Sequence, residues 1–246
     1  MEYQRLKFSQ MFIDTSKDWR KTGKARFDVE FNHIEFIYKL LGFIKLKFSS
    51  EWECHYEADR NVIQVNFEQT HGFKDWIINF LFAAKVYDKF ETEVNGKKVK
   101  IQLKACKGWK MMWFAMKYQV REAINNLLKE HPDAFIEVIG WSLGSSQASY
   151  CAQDVNFNFK KKPYLYTYGS VKPWRGLNKN VREYLKQCCV EAYNFQHRSD
   201  IVTYLPPFIG YFATKPVKLG KFNFFGLFDA NKWHTEYGED YLYEKI

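Results

Sequence analysis

The stretch AFIEVIGWSLGSSQASYCAQDVNF, residues 134–157, decides the fold. Ala134 to Ile139 is a short, mostly apolar run that predicts a buried strand, Gly140 to Gly144 predicts a tight turn, and Ser145 to Phe157 predicts an amphipathic helix. The turn Gly140-Trp141-Ser142-Leu143-Gly144 is a GxSxG pattern. The pattern alone is weak, and the strand before it and the helix after it give it weight. A sharp strand-to-helix turn needs the two glycines, because side chains there would collide with neighbouring backbone. Ser142 would then sit in a strained turn at the carboxyl end of its strand, with its hydroxyl exposed for nucleophilic attack. The helix beginning there would aim N–H groups and its positive end at a developing oxyanion, with the Leu143 N–H as one donor. A glycine-rich turn without chemistry is the alternative.

Downstream of the turn, Tyr164 to Tyr168 predicts a strand, Asn178 to Gln187 a helix and Val190 to Phe195 a strand. Strands alternating with helices predict a parallel sheet with crossover helices, an α/β fold. Upstream, Lys110 to Glu130 carries Trp113, Met116, Val120, Ile124, Leu127 and Leu128 at helical spacing, and Pro132 marks the end of that helix. Asn95-Gly96 between two alternating segments predicts a hairpin. Residues 43–48, 52–58 and 62–67 read as strands with a turn at Asp59-Arg60-Asn61, and residues 28–41 and 73–84 read as helices. The tail from Pro206 is loop-rich and aromatic. With no internal repeat or linker, residues 1–246 are expected to form a single domain, with 1–50 an N-terminal extension packed on the core.

A serine hydroxyl needs a base, and the base needs an orienting acid. In this kind of fold the order along the chain is Ser, then Asp or Glu, then His. Only His197 and His234 follow Ser142. Asp200 follows the strand ending near Phe195, at the edge where parallel strands gather their carboxyl ends. His197 precedes Asp200, so the order leaves His234 as the base. A ring nitrogen of His234 is expected within hydrogen-bond reach of the Ser142 hydroxyl, with Asp200 on the other nitrogen. A turn aspartate and a surface histidine are the plainer readings of the two residues.

Composition bounds the partners. The 37 Lys and Arg exceed the 28 Asp and Glu, a net charge of +9, which favours anionic surfaces. The tight run Lys160-Lys161-Lys162 follows a predicted helix, where cations suit the negative end of the dipole. With no nucleic-acid motif and no clustered basic-aromatic stripe, nucleic acid is not expected as a partner. The five cysteines, two of them adjacent at Cys188-Cys189, have no disulfide or zinc spacing, so reduced thiols and no metal are expected. The first twenty residues lack the apolar stretch of a signal peptide, and no stretch is long enough to span a membrane, so a cytoplasmic protein with peripheral membrane contact is expected.

Taken in order, four segments resemble the class 3, or fungal-type, lipase family of the α/β-hydrolase superfamily. Residues 65–76, VNFEQTHGFKDW, resemble its FRGT/S…DW segment, and residues 135–148 resemble its nucleophile elbow. Residues 166–172, YTYGSVK, resemble its TFGSPRVG strand end, and residues 194–207, NFQHRSDIVTYLPP, resemble its acid segment. Lys232-Trp233-His234 stands where the last histidine belongs. The resemblance covers roughly residues 50–243 and implies Ser142 as nucleophile, Asp200 as acid and His234 as base. It also implies Thr70 as the first oxyanion residue beside Leu143, and a lid or substrate-facing set of Phe73, Trp76, Ile77, Phe80 and Trp141. The family needs no cofactor.

Four departures stand out. Trp141 replaces the usual His before the serine, Ser145 replaces a Gly after it, Glu68-Gln69 replaces Arg-Gly before Thr70, and Cys106-Lys107-Gly108-Trp109 replaces His-x-Gly-Phe. None removes a catalytic group. The apolar helical face of residues 73–82 must be buried, either on the body or against lipid. The aromatic stretch 208–228 is expected to shape an acyl pocket or a membrane-facing rim. The implied function is hydrolysis of carboxylic esters of lipids. Acyl transfer or amide hydrolysis on the same triad, or a non-catalytic membrane binder on a hydrolase scaffold, are the alternatives.

Overall fold

The computed structural model describes residues 23–29, 46–67, 84–223 and His234. Eleven strands and three α-helices run through them as β1 (Gly23–Val29), β2 (Leu46–Glu57), β3 (Val62–Phe67), β4 (Ala84–Val94), β5 (Lys97–Cys106), α1 (Lys107–Glu130), β6 (Phe135–Trp141), α2 (Gly144–Phe159), β7 (Tyr164–Tyr168), β8 (Trp174–Arg175), α3 (Lys179–Gln187), β9 (Glu191–His197), β10 (Tyr211–Phe212) and β11 (Pro216–Leu219). Seven strands form one sheet in the order β1-β2-β3-β6-β7-β9-β11. β3, β6, β7, β9 and β11 pair in parallel, while β1 and β2 add on antiparallel. β10, β8, β5 and β4 form a smaller antiparallel sheet.

The α/β-hydrolase-like fold with a mostly parallel sheet is therefore as expected. Its central strands are buried on both faces, as crossover helices require. On one face, Ile63, Val65, Ile136, Val138 and Leu165 pack with Trp109, Trp113, Met116 and Val120 of α1 and Ala148, Cys151 and Val155 of α2. On the other, Ile139 and Trp141 pack with Tyr164, Tyr166, Tyr168 and Phe195. Arg121 of α1 holds both carboxylate oxygens of Asp154 of α2 at 2.7 and 2.5 Å, which ties the two helices together. The five cysteines are buried, and burial pushes the Cys54 and Cys106 thiols up to about 12, so these two are inert.

Several expectations shift. The described parts of the strands expected at 43–48 and 52–58 join in one continuous β2, Leu46–Glu57, because Ser49 to Glu51 continue the pairing with β1; residues 43–45 lie outside the described residues and Ala58 opens the turn. Asp28 and Val29, expected to open a helix, end β1 instead, where pairing with Lys47 and Leu46 overrides local periodicity. The rest of that segment and residues 73–83 of the helix expected at 73–84 lie outside the described residues, while Ala84 opens β4 by pairing with Cys106. β11 was hidden in the tail: Pro216 to Leu219 add a parallel strand against Asn194 to His197. The helix α1 starts three residues before Lys110, at Lys107. The hairpin at Asn95-Gly96 forms, with both turn residues at positive φ.

Glu137, fully buried in β6, receives Arg60 Nη1 at 2.8 Å and Gln64 Nε2 at 3.4 Å, both on Oε2. Its Oε1 has no partner among the described residues, and burial pushes the carboxyl up to about 8. The folded chain therefore holds this proton over a range where the unfolded chain has released it. This contribution to stability is complete below about 4.5 and is lost as pH rises through about 8. Glu137→Gln, neutral at every pH, should flatten that dependence. Denaturation midpoints of both chains at pH 5 and pH 9 check it, and an equal slope in the two would refute it.

Candidate active site

The carboxyl ends of β6, β7 and β9 lie side by side, and each delivers one part of the site. At the end of β6, Ser142 has φ 56, the left-handed region that costs a side-chain-bearing residue. Its N–H donates to the Tyr168 carbonyl at 2.8 Å, which carries the sheet pairing through the turn. Gly140 permits the turn: a Cβ there would lie 2.6 Å from the Gly144 carbonyl carbon and 2.9 Å from Ala148 Cβ. Leu143 precedes α2 directly as its N-cap, at the helix end where N–H groups lack intrahelical partners. Ser145, the departure from a glycine, fastens the elbow. Its hydroxyl donates to the Ser142 carbonyl at 2.5 Å and accepts the Val171 N–H at 3.2 Å.

At the end of β9, Asp200 is fully buried. Its Oδ1 accepts the Val202 N–H at 2.9 Å, and its Oδ2 lies 2.8 Å from His234 Nδ1. Lys218 stands near Asp200, its amine held down by burial and then by the like charges of Lys172 and Arg198. His234 Nε2 is buried and has no hydrogen-bond partner among the described residues. The expected Ser142–His234 hydrogen bond is thus not made in this structure. Such bonds are often long without substrate and tighten in the substrate complex. His197 is a buried histidine whose Nδ1 accepts the Ser199 N–H at 3.2 Å, so it braces the acid loop.

At the end of β7, Gly169 has φ 57, and a Cβ on it would lie 2.6 Å from His234 Cε1 and 2.8 Å from Nδ1. Gly169 carries no role in the sequence pattern, although a glycine directly after an apolar strand, level with the GxSxG turn, is a signal for one. Trp141 is 8% exposed, and its indole N–H donates to the His234 carbonyl at 3.1 Å. Thr70, Phe73, Trp76, Ile77 and Phe80 lie outside the described residues. Among the described residues, no group of three His, Cys, Asp or Glu side chains is arranged to hold a metal, and no helix is long and apolar enough to cross a membrane.

A family model described as Lipase (class 3) matches residues 64–209. The chain belongs to the class 3 lipases. The matched span holds Ser142 and Asp200, and His234 lies beyond it. Solved structures agree on the fold. The triacylglyceride lipase of Rhizomucor miehei is similar at a TM-score of 0.56 and 19% identity over 69% of this chain and 61% of that one. A fungal lipase–inhibitor complex, described as a model for interfacial activation, is similar at 0.57 and 20% over 71% and 62%. Lipase II from Rhizopus niveus is similar at 0.51 and 19% over 70% and 60%. The chain thus spans about three fifths of the length of these lipases. Among curated proteins, none matches it significantly.

Proposed function

We propose that this class 3 lipase chain hydrolyses carboxylic esters of lipids through an acyl-enzyme. One observation carries the reading: the His234–Asp200 pair, 2.8 Å apart, lies at the same sheet edge as Ser142, which is held at positive φ two strands away at the end of β6. In this reading Ser142 Oγ attacks the ester carbonyl carbon while His234 Nε2 takes its proton. Asp200 stabilises the resulting imidazolium and fixes the ring by holding Nδ1–H. The N–H groups of Leu143 and Thr70 receive the oxyanion. The leaving alcohol takes the proton from His234. Water, deprotonated by the same nitrogen, then attacks the acyl carbon; the bond to Ser142 Oγ breaks, His234 returns the proton to Oγ, and the acid leaves. Phe73, Trp76, Ile77 and Phe80 are assigned to the substrate approach. The chain uses no cofactor in this scheme.

A lipid surface as the source of substrate is supported by an apolar tip whose own two loops carry charge of one sign. Leu177, Phe208 and Ile209 are 77%, 56% and 88% exposed, and the Gly176 N–H joins their two loops through the Gly210 carbonyl at 2.9 Å. Residues 155–182 and 201–223 contain no Asp or Glu, while Arg175 and Lys179 lie beside Leu177. Apolar burial and attraction to anionic headgroups would act together there.

The test is a fluorophosphonate label with peptide mapping, then turnover on esters of short to long acyl chains, on an amide and with vesicles. The adduct is expected on Ser142, with ester turnover exceeding amide turnover. An adduct elsewhere would overturn the reading. Ile209→Asp should weaken binding to anionic vesicles roughly tenfold to a hundredfold, since burying such a side chain contributes about 1.5–3 kcal/mol, and should leave turnover of a soluble short-chain ester unaffected. Binding unchanged by the substitution, or insensitive to salt, would remove the lipid surface from the proposal.

A further inference from the structure

We propose that Trp141 is a positioning residue for the general base, holding the main chain of His234 to the strand that carries the nucleophile. The inference rests on the triad reading above and assigns Trp141 a different task from lining the substrate. His234 lies in the chain's last segment, and three strand ends constrain it. Asp200, after β9, holds Nδ1 at 2.8 Å. Gly169, after β7, leaves space for the imidazole that any Cβ would fill. Trp141, the last residue of β6, donates its indole N–H to the His234 carbonyl at 3.1 Å, and its ring lies 5.9 Å from the imidazole with the planes 30° apart.

The first two constraints set the ring's direction and depth. Neither ties the main chain of His234 to Ser142. Trp141 does so, because it is covalently adjacent to Ser142. Its hydrogen bond therefore links the base's backbone to the nucleophile's own strand, across 93 residues of sequence. Trp141 is itself fixed, with its ring buried among Ile139, Tyr168 and Phe195, so the donor is rigid. A rigid donor matters because a base displaced by about 1 Å from its productive position can cost on the order of a hundredfold in rate. In the family pattern a histidine stands here. The larger indole reaches the last segment with its N–H while its ring covers the flank of the imidazole.

The conservative variant Trp141→Phe keeps a ring and removes the donor. With the full chain and a soluble short-chain ester, kcat should fall roughly tenfold to a hundredfold, with KM unchanged. The rate of fluorophosphonate inactivation should fall by the same factor. The loss should be the same for every acyl length. Trp141→His, which restores an N–H donor, should recover part of it. In NMR spectra the His234 imidazole signals should shift and broaden in Trp141→Phe. Those of His131, whose ring stacks on Tyr56 at 3.6 Å, should not. That last readout needs no catalysis. It stands even if Ser142→Ala keeps its label, a result that would sink the triad reading alone. A change confined to KM and growing with acyl length would make Trp141 a substrate-lining residue and overturn the proposal. Unmoved His234 signals would overturn it as well. If Trp141→Phe loses its cooperative unfolding transition, the His234 signals of Trp141→His decide: they should shift and broaden relative to the unsubstituted chain, because the shorter donor restores the contact only in part, and unmoved signals would overturn the proposal.

Discussion

Ser142→Ala is expected to abolish fluorophosphonate labelling and to lower ester turnover by about 10⁴-fold or more. The elbow explains why the loss should be catalytic and not structural. The strain at φ 56 belongs to the backbone, and alanine meets the same strain as serine. The contacts that fix the turn are also main-chain contacts of residue 142: its N–H on the Tyr168 carbonyl, and its carbonyl on the Ser145 hydroxyl. Neither uses the Ser142 side chain. The thermal midpoint should therefore stay close to that of the unsubstituted chain while turnover collapses. Midpoint, labelling and turnover measured on one preparation check this. Undiminished labelling of the alanine variant would remove Ser142 from the mechanism.

The parts of the site that local physics dictates were legible in the sequence. The GxSxG turn needs glycine where Gly140 stands, and the structure gives the reason in the 2.6 Å approach a Cβ would make to the Gly144 carbonyl carbon. The strands Val62–Phe67 and Tyr164–Tyr168 fall where runs of β-branched and aromatic residues put them, even though Gln64 and Asn66 interrupt the first. The placement of Asp200 at a strand end follows from parallel pairing alone, and so does its nearness to the Ser142 turn.

What stayed hidden depends on contacts between segments far apart in sequence. β11 shows little local pattern, because Pro216-Val217-Lys218-Leu219 becomes a strand by pairing with β9. The two early strand segments merged because β1 pairs across the gap between them. The indole bond of Trp141 joins residues 93 positions apart, and no motif encodes it. Ser145 read as a missing glycine, although its hydroxyl bridges the Ser142 carbonyl to the Val171 N–H and so joins the elbow to the loop after β7.

Asp200→Asn should lower turnover by about 10⁴-fold, because either orientation of the new amide damages the site. The carboxylate now does two jobs, with Oδ1 accepting the Val202 N–H at 2.9 Å and Oδ2 facing His234 Nδ1 at 2.8 Å. If the amide keeps its oxygen toward Val202, its NH₂ group faces Nδ1. Nδ1 must then accept, the imidazole proton moves to Nε2, and the nitrogen that should take the serine proton already carries one. If the amide flips, Nδ1 keeps its proton but two donors face each other at the Val202 N–H. That buried mismatch costs about 1–3 kcal/mol and loosens the 3₁₀ turn Ile201–Tyr204 that Asp200 caps. The first outcome leaves the thermal midpoint nearly unchanged and the loss in kcat complete. The second lowers the midpoint with a smaller loss of rate. Single-turnover acylation by an activated ester, measured beside the midpoint, separates them, and both predict slower acylation. Acylation within tenfold of the unsubstituted chain would mean that Asp200 does not orient the base. Asp229, outside the described residues, would then be the carboxylate to replace next.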